Sequence, residues 1–342
     1  MKELLISAEK IIDCLNDGVY VCDRDRRIVF WSKAAERITG WRSEDVLGRA
    51  CLEDILNHVD KDGHRLCGEE YCPLHRAMIT GVTTQVPIIV FARRKDGSRV
   101  PTQVTTAPIH NEAGEIIGGV ETFRDVSPIL VDLERAQKIQ RQALQHDLPE
   151  DQRLRFSTLF MPYDIVGGDY YAIEPLDADR YGFLLADMEG HGVAAALYAM
   201  HLGILWNRHF QLLKNPADFA AAVNEDLVKI FGSVVTFATA MCGIIDASAG
   251  TLCFTGAGGP TPLIIHENWA FEEPKSTGPP LGVMEDIPYK EKAVKLEAGD
   301  SILLFSDGAT EIQNAENEWL GISGFTRILK ALDYPKKPLR ME

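Results

Sequence analysis

No run of apolar residues in this 342-residue chain approaches the ~20 needed to cross a bilayer, and its start lacks the pattern of a secretory leader. Positive charge is scarce too: 35 Lys and Arg stand against 50 Asp and Glu, a net charge of −15. A phosphate backbone or an anionic membrane face would be repelled, which sets nucleic acid and membrane aside as partners. Cysteines number seven, odd and scattered, so no disulfide framework is implied and a reducing, cytoplasmic location is expected. Low-complexity tracts are missing. The remaining composition, 46% hydrophobic and 25% charged, is that of globular protein, and the length allows two domains, each with its own core.

What is present is organised around residues 166–192, Val166-Gly-Gly-Asp-Tyr-Tyr171 and Tyr181-Gly-Phe-Leu-Leu-Ala-Asp-Met-Glu-Gly-His-Gly192. Strand-like runs at 170–173 and 181–186 flank the polar turn Asp177-Ala-Asp-Arg180, which reads as a hairpin. A turn centred near Ala178 sets Asp169 directly opposite Asp187. Facing side chains sit about 5 Å apart, and like charges there destabilise a sheet unless a cation lies between them. Carboxylate oxygens suit Mg²⁺, Mn²⁺ or Ca²⁺. A register shifted by one or two residues instead leaves both acids solvated.

Ahead of this hairpin, apolar spacing over 1–16 predicts a short helix. A first hairpin (18–23 and 28–31), helical material over 34–38 and 43–47, and three antiparallel strands (85–93, 99–110 and 115–124) follow. Together with Trp31-Ser-Lys-Ala-Ala-Glu36 and the closing Phe123-Arg-Asp-Val126, this order resembles a PAS sensor domain over about residues 8–125. The resemblance implies a five-stranded antiparallel sheet with helices and leaves the ligand unknown. The flavin-binding cysteine motif of light-sensing relatives is not visible. Within this region Cys51, His58, His64, Cys67, Cys72 and His75 crowd together. Cys51, Cys67 and Cys72 are candidates for a zinc or iron–sulfur site or a redox couple, or are simply small buried side chains.

Val126, Leu130, Leu133, Gln137, Gln140 and Leu144 repeat at spacings of four and three, a coiled-coil-like seam or one face of a linker helix packed on a domain. The expected organisation is therefore 1–127, a linker helix at 128–150, and 151–342, with a homodimer expected where the linker is a coiled coil. In the last segment, helices are predicted at 193–206, after Gly190-His-Gly192, and from Asn215-Pro216 to Gly232. Strands are expected at 237–245, 251–255 and 263–266. The apolar run 301–306 delivers a third carboxylate, Asp307, at a sheet edge.

These pieces closely resemble the metal-dependent serine/threonine phosphatases, the PPM family, in their SpoIIE/RsbU-type branch. The likeness also uses Arg135-Ala-Gln-Lys-Ile-Gln140, Phe237-Ala-Thr239, Pro280-Leu-Gly282 and Ser306-Asp-Gly-Ala-Thr-Glu311. It implies an α+β chain whose second domain is an α-β-β-α sandwich. By resemblance, Asp187 bridges two Mn²⁺ or Mg²⁺ ions, Asp169 and the Met188 carbonyl serve one of them, and Asp307 the other. Such a pair activates a water for in-line attack on a phosphoserine or phosphothreonine. His191 is a candidate acid for the leaving alkoxide, or a solvent-facing residue at a helix start. The implied substrate is a phosphorylated protein, a STAS-type anti-anti-sigma regulator in a stress-response pathway.

Two departures qualify this expectation. The family pattern Asn-Ala-Gly-His-Asn-Pro is Gly256-Ala-Gly-Gly-Pro-Thr261 here, and no Asp-Asp segment follows Asp307, only Asp333. The reading is of a truncated end with an exposed sheet edge and weak activity that needs high Mn²⁺. A competing reading is a non-catalytic module that binds the same partner. A nucleotide cyclase, suggested by Gly167-Gly-Asp169 behind a PAS domain, fails because Tyr170-Tyr171 replaces the acidic continuation.

Overall fold

The structure, a computed structural model, describes residues 8–334 apart from 54, 69–70, 85–87, 145–146, 163, 233, 277 and 315–316. The chain divides into two units, Met1–Asp132 and Leu133–Glu342.

The first unit begins with α1 (Ala8–Asp13), the described part of the helix expected over 1–16. The expected hairpin, β1 (Gly18–Asp23) and β2 (Ile28–Trp31), leads into α2 (Lys33–Thr39) and α3 (Ser43–Val46). Ser32 starts α2 by accepting the Ala35 N–H, and Gly40 ends it at φ 75°, where a Cβ would be strained. Next come α4 (Pro73–Thr80), β3 (Ile88–Arg93), β4 (Arg99–His110) and β5 (Ile116–Asp125). The strands form one antiparallel sheet in the order β2-β1-β5-β4-β3. Its inner face is anchored by Tyr20, Trp31 and Phe123, with ring centroids 5.6, 6.2 and 6.3 Å apart. Residues 85–87 of the expected third strand lie outside the described residues. The density of thiols and imidazoles obscures α4 in the sequence, although Pro73 in its first turn and Gly81 at its end are ordinary start and stop signals.

Helix α5 (Ser127–Leu144) crosses the boundary between the units, which falls inside it. The reason is in the supposed seam. Gln140 is buried, donating from Nε2 to the Gly167 carbonyl at 2.7 Å and accepting the Gly167 N–H at 3.0 Å. Gln137 donates to the Ile165 carbonyl at 2.6 Å, and Leu144 joins the second unit's core. The two glutamines hold the backbone of 165–167 within their own chain.

In the second unit β6 (Asp169–Pro175) and β7 (Arg180–Met188) are followed by α6 (Val193–His209) and α7 (Pro216–Phe231). The remaining elements are β8 (Ala238–Asp246), β9 (Thr251–Ala257), β10 (Leu263–Ile265), β11 (Phe271–Glu272), β12 (Lys292–Lys295), β13 (Ser301–Leu303) and α8 (Gly321–Ala331). Two sheets result, β12-β9-β8-β7-β6 and β11-β10-β13. Alternation along β7 explains how they layer. Leu184, Ala186 and Met188 pack under α6 and α7 with Leu202, Trp206, Val223 and Leu227, while Phe183 points the other way. Phe183, Met241, Ile245 and Phe254 share a second core with Ile302 and Leu304, so the sheets meet face to face. On the far side Leu303 and Phe305 pack with Phe325 and Leu329 of α8. The order of layers is α-β-β-α, as expected. The short edge strands β11 and β12, and α8, whose start at Gly321 lacks a side-chain cap, are not anticipated from the pattern.

Replacing Gln140 by Ala strips partners from a buried N–H and a buried carbonyl. The full chain should lose about 1–3 kcal/mol, read as a lower urea midpoint with unchanged slope. An unmoved midpoint would mean that these bonds do not hold α5 to the second unit.

Candidate metal centre

The hairpin register is set at its turn. Asp177 Oδ1 accepts the backbone N–H groups of Asp179 and Arg180 at 3.1 and 3.0 Å, and Leu176 N–H bonds to the Arg180 carbonyl at 2.7 Å. From there the ladder runs without a bulge to its last pair, Asp169 opposite Asp187. Because Tyr170, Ala186 and Met188 face the helices, Asp169 and Asp187 project toward the second sheet. That sheet supplies the third acid. The chain leaves β13, and Ser306 Oγ donates to Asp169 Oδ2 at 3.5 Å. Asp307 opens a 3-10 turn in which its carbonyl accepts from Thr310 and Glu311, and its carboxylate lies in hydrogen-bond reach of Asp187.

The electrostatics are those of an uncompensated acidic site. Burial, then the charge of Asp307, pushes Asp169 up to about 6. Burial, then the charges of Asp169 and Asp307, pushes Asp187 up to about 7. No cation is among the causes of either shift. Asp169 Oδ1 is buried with no hydrogen-bond partner. A Cβ on Gly168 would sit 3.5 Å from Asp187 Oδ1 and 3.2 Å from the Met188 carbonyl oxygen, so these two oxygens open on a space that glycine keeps clear. An orphaned carboxylate oxygen, a carbonyl and three convergent acids are hard donors, and they fit Mg²⁺ or Mn²⁺.

Among the described residues the one trio of ligand atoms mutually within 4.8 Å is elsewhere, Asp60, Asp62 and His64 in the first unit. There Asp60 Oδ1 already accepts the N–H groups of Asp62 and His64, and Oδ2 meets His64 Nδ1 at 3.0 Å, so the trio is an exposed turn tied by its own bonds. The ligand atoms of Asp169, Asp187 and Asp307 are spread more widely than that.

His191 lies exposed in the turn between β7 and α6. That turn uses Gly190 (φ 89°) and Gly192 (φ 83°), and the start of α6 has no side-chain cap. Three residues not singled out by the sequence belong to the same end of the sheet. Gly168 could have been read from the Gly-Gly-Asp string and Ser306 from its place before Asp307. Thr239, cross-strand partner of Asp187, could have been found only by knowing that β8 neighbours β7. Leu281 bridges to Ala238, so the Pro280-Leu-Gly282 string also arrives here. At the altered loop, a Cβ on Gly259 would come within 3.2 Å of Thr239, which leaves little room for the side chain the family pattern carries. Cys51, Cys67 and Cys72 all lie in the first unit and are not brought together as a three-ligand set. Cys51 and Cys72 are buried core residues, and Cys67 Sγ accepts the His58 N–H at 3.0 Å.

Comparison with known proteins accords with this division. Residues 177–340 match the family model of stage II sporulation protein E (SpoIIE), and residues 12–128 match a PAS fold. Asp187 and Asp307 fall inside the SpoIIE match and Asp169 just ahead of it. The chain is 26% identical over 183 residues to phosphoserine phosphatase RsbP of Bacillus subtilis, covering 53% of this chain and 45% of that protein. It is 26% identical over 202 residues to phosphoserine phosphatase RsbU of the same organism, covering 58% and 59%. Protein IcfG of Synechocystis is 27% identical over 218 residues, 56% of this chain and 34% of its own length. The chain thus spans roughly a third to three-fifths of these relatives. Among solved structures, the SiaA-PP2C domain of Pseudomonas aeruginosa superposes with TM-score 0.52 at 24% identity, over 62% of this chain and 85% of that one, a likeness of fold. The chain thus matches a PAS fold over 12–128 and the SpoIIE family model over 177–340, and its second unit has the PP2C architecture.

Proposed function

We propose that the second unit is a metal-dependent phosphoserine/phosphothreonine protein phosphatase governed by the PAS fold before it. The observation that carries this is the convergence of Asp169, Asp187 and Asp307 with one buried oxygen left unpaired. Asp169, Asp187, Asp307 and the Met188 carbonyl are the groups that would hold a pair of divalent ions. Bound there, two Mn²⁺ or Mg²⁺ ions would supply activation of water near neutral pH and neutralise phosphoryl charge. The Ser306 hydroxyl fixes Asp169 Oδ2, leaving Oδ1 for a metal. The uncapped first-turn amides of α6, whose Ala195 packs beside Gly168, favour an anion at this mouth. His191, exposed at the same turn, is positioned to give a proton to the departing alkoxide once substrate covers it.

Two relatives carry the name phosphoserine phosphatase, which supports a phosphoserine protein as substrate. A STAS-type anti-anti-sigma regulator is the partner we propose, and dimerisation of the PAS fold is the proposed route of control. Helix α5 is the transmission element, since Gln140 grips Gly167, two residues before Asp169.

Hydrolysis of p-nitrophenyl phosphate should require Mn²⁺ or Mg²⁺ and fall at least about a thousandfold in Asp187→Asn. Equal rates in wild type and variant would leave only the reading of a phosphatase-like module that binds without turnover.

A second outcome concerns pH. Asp169 and Asp187 are both raised, to about 6 and about 7, so the metal-free folded state holds protons that the unfolded chain has already lost. Their contribution is fully present below about 4 and is lost as pH rises through about 7. Without metal, Asp187→Asn should gain about 1–2 kcal/mol on wild type between pH 4.5 and 8, after allowance for solvent screening. Mn²⁺ should reverse that difference in thermal melts. A gap independent of pH and metal would contradict the assignment.

A further inference from the structure

The PAS fold contains a second group of potential ligands that the phosphatase reading does not use. Glu121, on the central strand β5, has 0% exposure and is paired directly with Tyr20 of β1 and Thr106 of β4. Neither of its carboxylate oxygens has a partner of good hydrogen-bond geometry; the Tyr20 hydroxyl bears on the group, and burial pushes its pKa up to about 8. A buried carboxyl so poorly supplied with donors is an unfavourable arrangement for a core, and it marks a place where something else can complete the contacts. His58, 3% exposed, holds Nε2 3.7 Å from Glu121 Oε1. The His58 backbone N–H donates to Cys67 Sγ at 3.0 Å. Cys51 and Cys72, each 5% exposed, belong to the core cluster that contains Tyr20.

We propose that this is a metal site for a borderline divalent ion, zinc in the first place, with Glu121 and His58 as its fixed ligands and thiolates from among Cys51, Cys67 and Cys72 completing the shell. Oxygen and nitrogen ligands on one tetrahedral zinc stand roughly 3.4 Å apart. The observed 3.7 Å is within a small relaxation of that. Carboxylate, imidazole and thiolate together are a zinc-type donor set, whereas the Mg²⁺ or Mn²⁺ suited to Asp169 and Asp187 disfavours sulfur. The shell is not closed: among the described residues no third His, Cys, Asp or Glu ligand atom lies within 4.8 Å of both Glu121 and His58. A thiol therefore has to rotate in, releasing its proton as the sulfur–zinc bond forms. All five residues lie in the first unit, so the site stands or falls independently of the phosphatase centre.

The test uses the full chain, stripped of metal and titrated with Zn²⁺ against a chromophoric chelator in excess Mg²⁺. One zinc per chain is expected. Glu121→Gln and His58→Gln should each weaken it at least tenfold, and Asp187→Asn should leave it unchanged. Co²⁺ in place of Zn²⁺ should give a thiolate charge-transfer band in the near ultraviolet, lost in whichever Cys→Ser variant removes the ligand. Far-UV circular dichroism checks that the variants fold. Should either be misfolded, the wild-type cobalt spectrum decides, because no thiolate band there rejects the site. Zinc bound equally by wild type and folded Glu121→Gln, or not bound by wild type, overturns the proposal.

Discussion

Like charges repel most strongly when water is excluded, and the β6–β7 hairpin holds two of them face to face. The turn at Asp177 fixes the ladder, the ladder ends on Asp169 and Asp187, and side-chain alternation aims both into the space between the sheets. Folding stabilises the surrounding core strongly enough to hold this pair together, and Asp307 adds a third charge from the other sheet. The acids become stable neighbours either by keeping protons or by sharing divalent cations. The proposed chemistry is the second of these solutions.

The layered architecture explains why the three acids meet although they are far apart in sequence. Each sheet presents one face to a helical layer and the other to its partner sheet, so a residue's parity along its strand decides which core it enters. Leu184, Ala186 and Met188 share a parity and lie under helices; Phe183 and Asp187 share the other. On the second sheet the same rule sends Ile302 and Leu304 toward the acids' side and Leu303 and Phe305 toward α8. A shift of one residue in either strand would exchange these environments and bury a carboxylate among aliphatic side chains.

Much of this was legible in the sequence because local signals and the fold agree there. The polar turn and its flanking strands suffice to pair Asp169 with Asp187, and Asn215-Pro216 with Gly232 suffices to bound α7. Where the sequence reading falls short, the deciding contact is distant. Gln137 and Gln140 fall at seam spacing, yet what they meet is backbone at 165–167, which no periodicity reveals. The PAS core is similar: Cys51, Cys67 and Cys72 stand out by type, whereas Glu121 looks like an ordinary alternating strand residue until β5 turns out to be the middle of the sheet. Thr239 and α8 depend likewise on knowing which strands adjoin.

The grip of α5 on Gly167 bears on how the molecule can be dissected. Cutting the chain at residue 150 follows the visible change in composition and yields what looks like a free-standing catalytic fragment. Such a fragment would lack Gln140, so the peptide group of Gly167 would face solvent at the root of the strand that carries Asp169. A fragment beginning at residue 127 keeps that support, and rates measured on the two would compare a propped strand with an unpropped one.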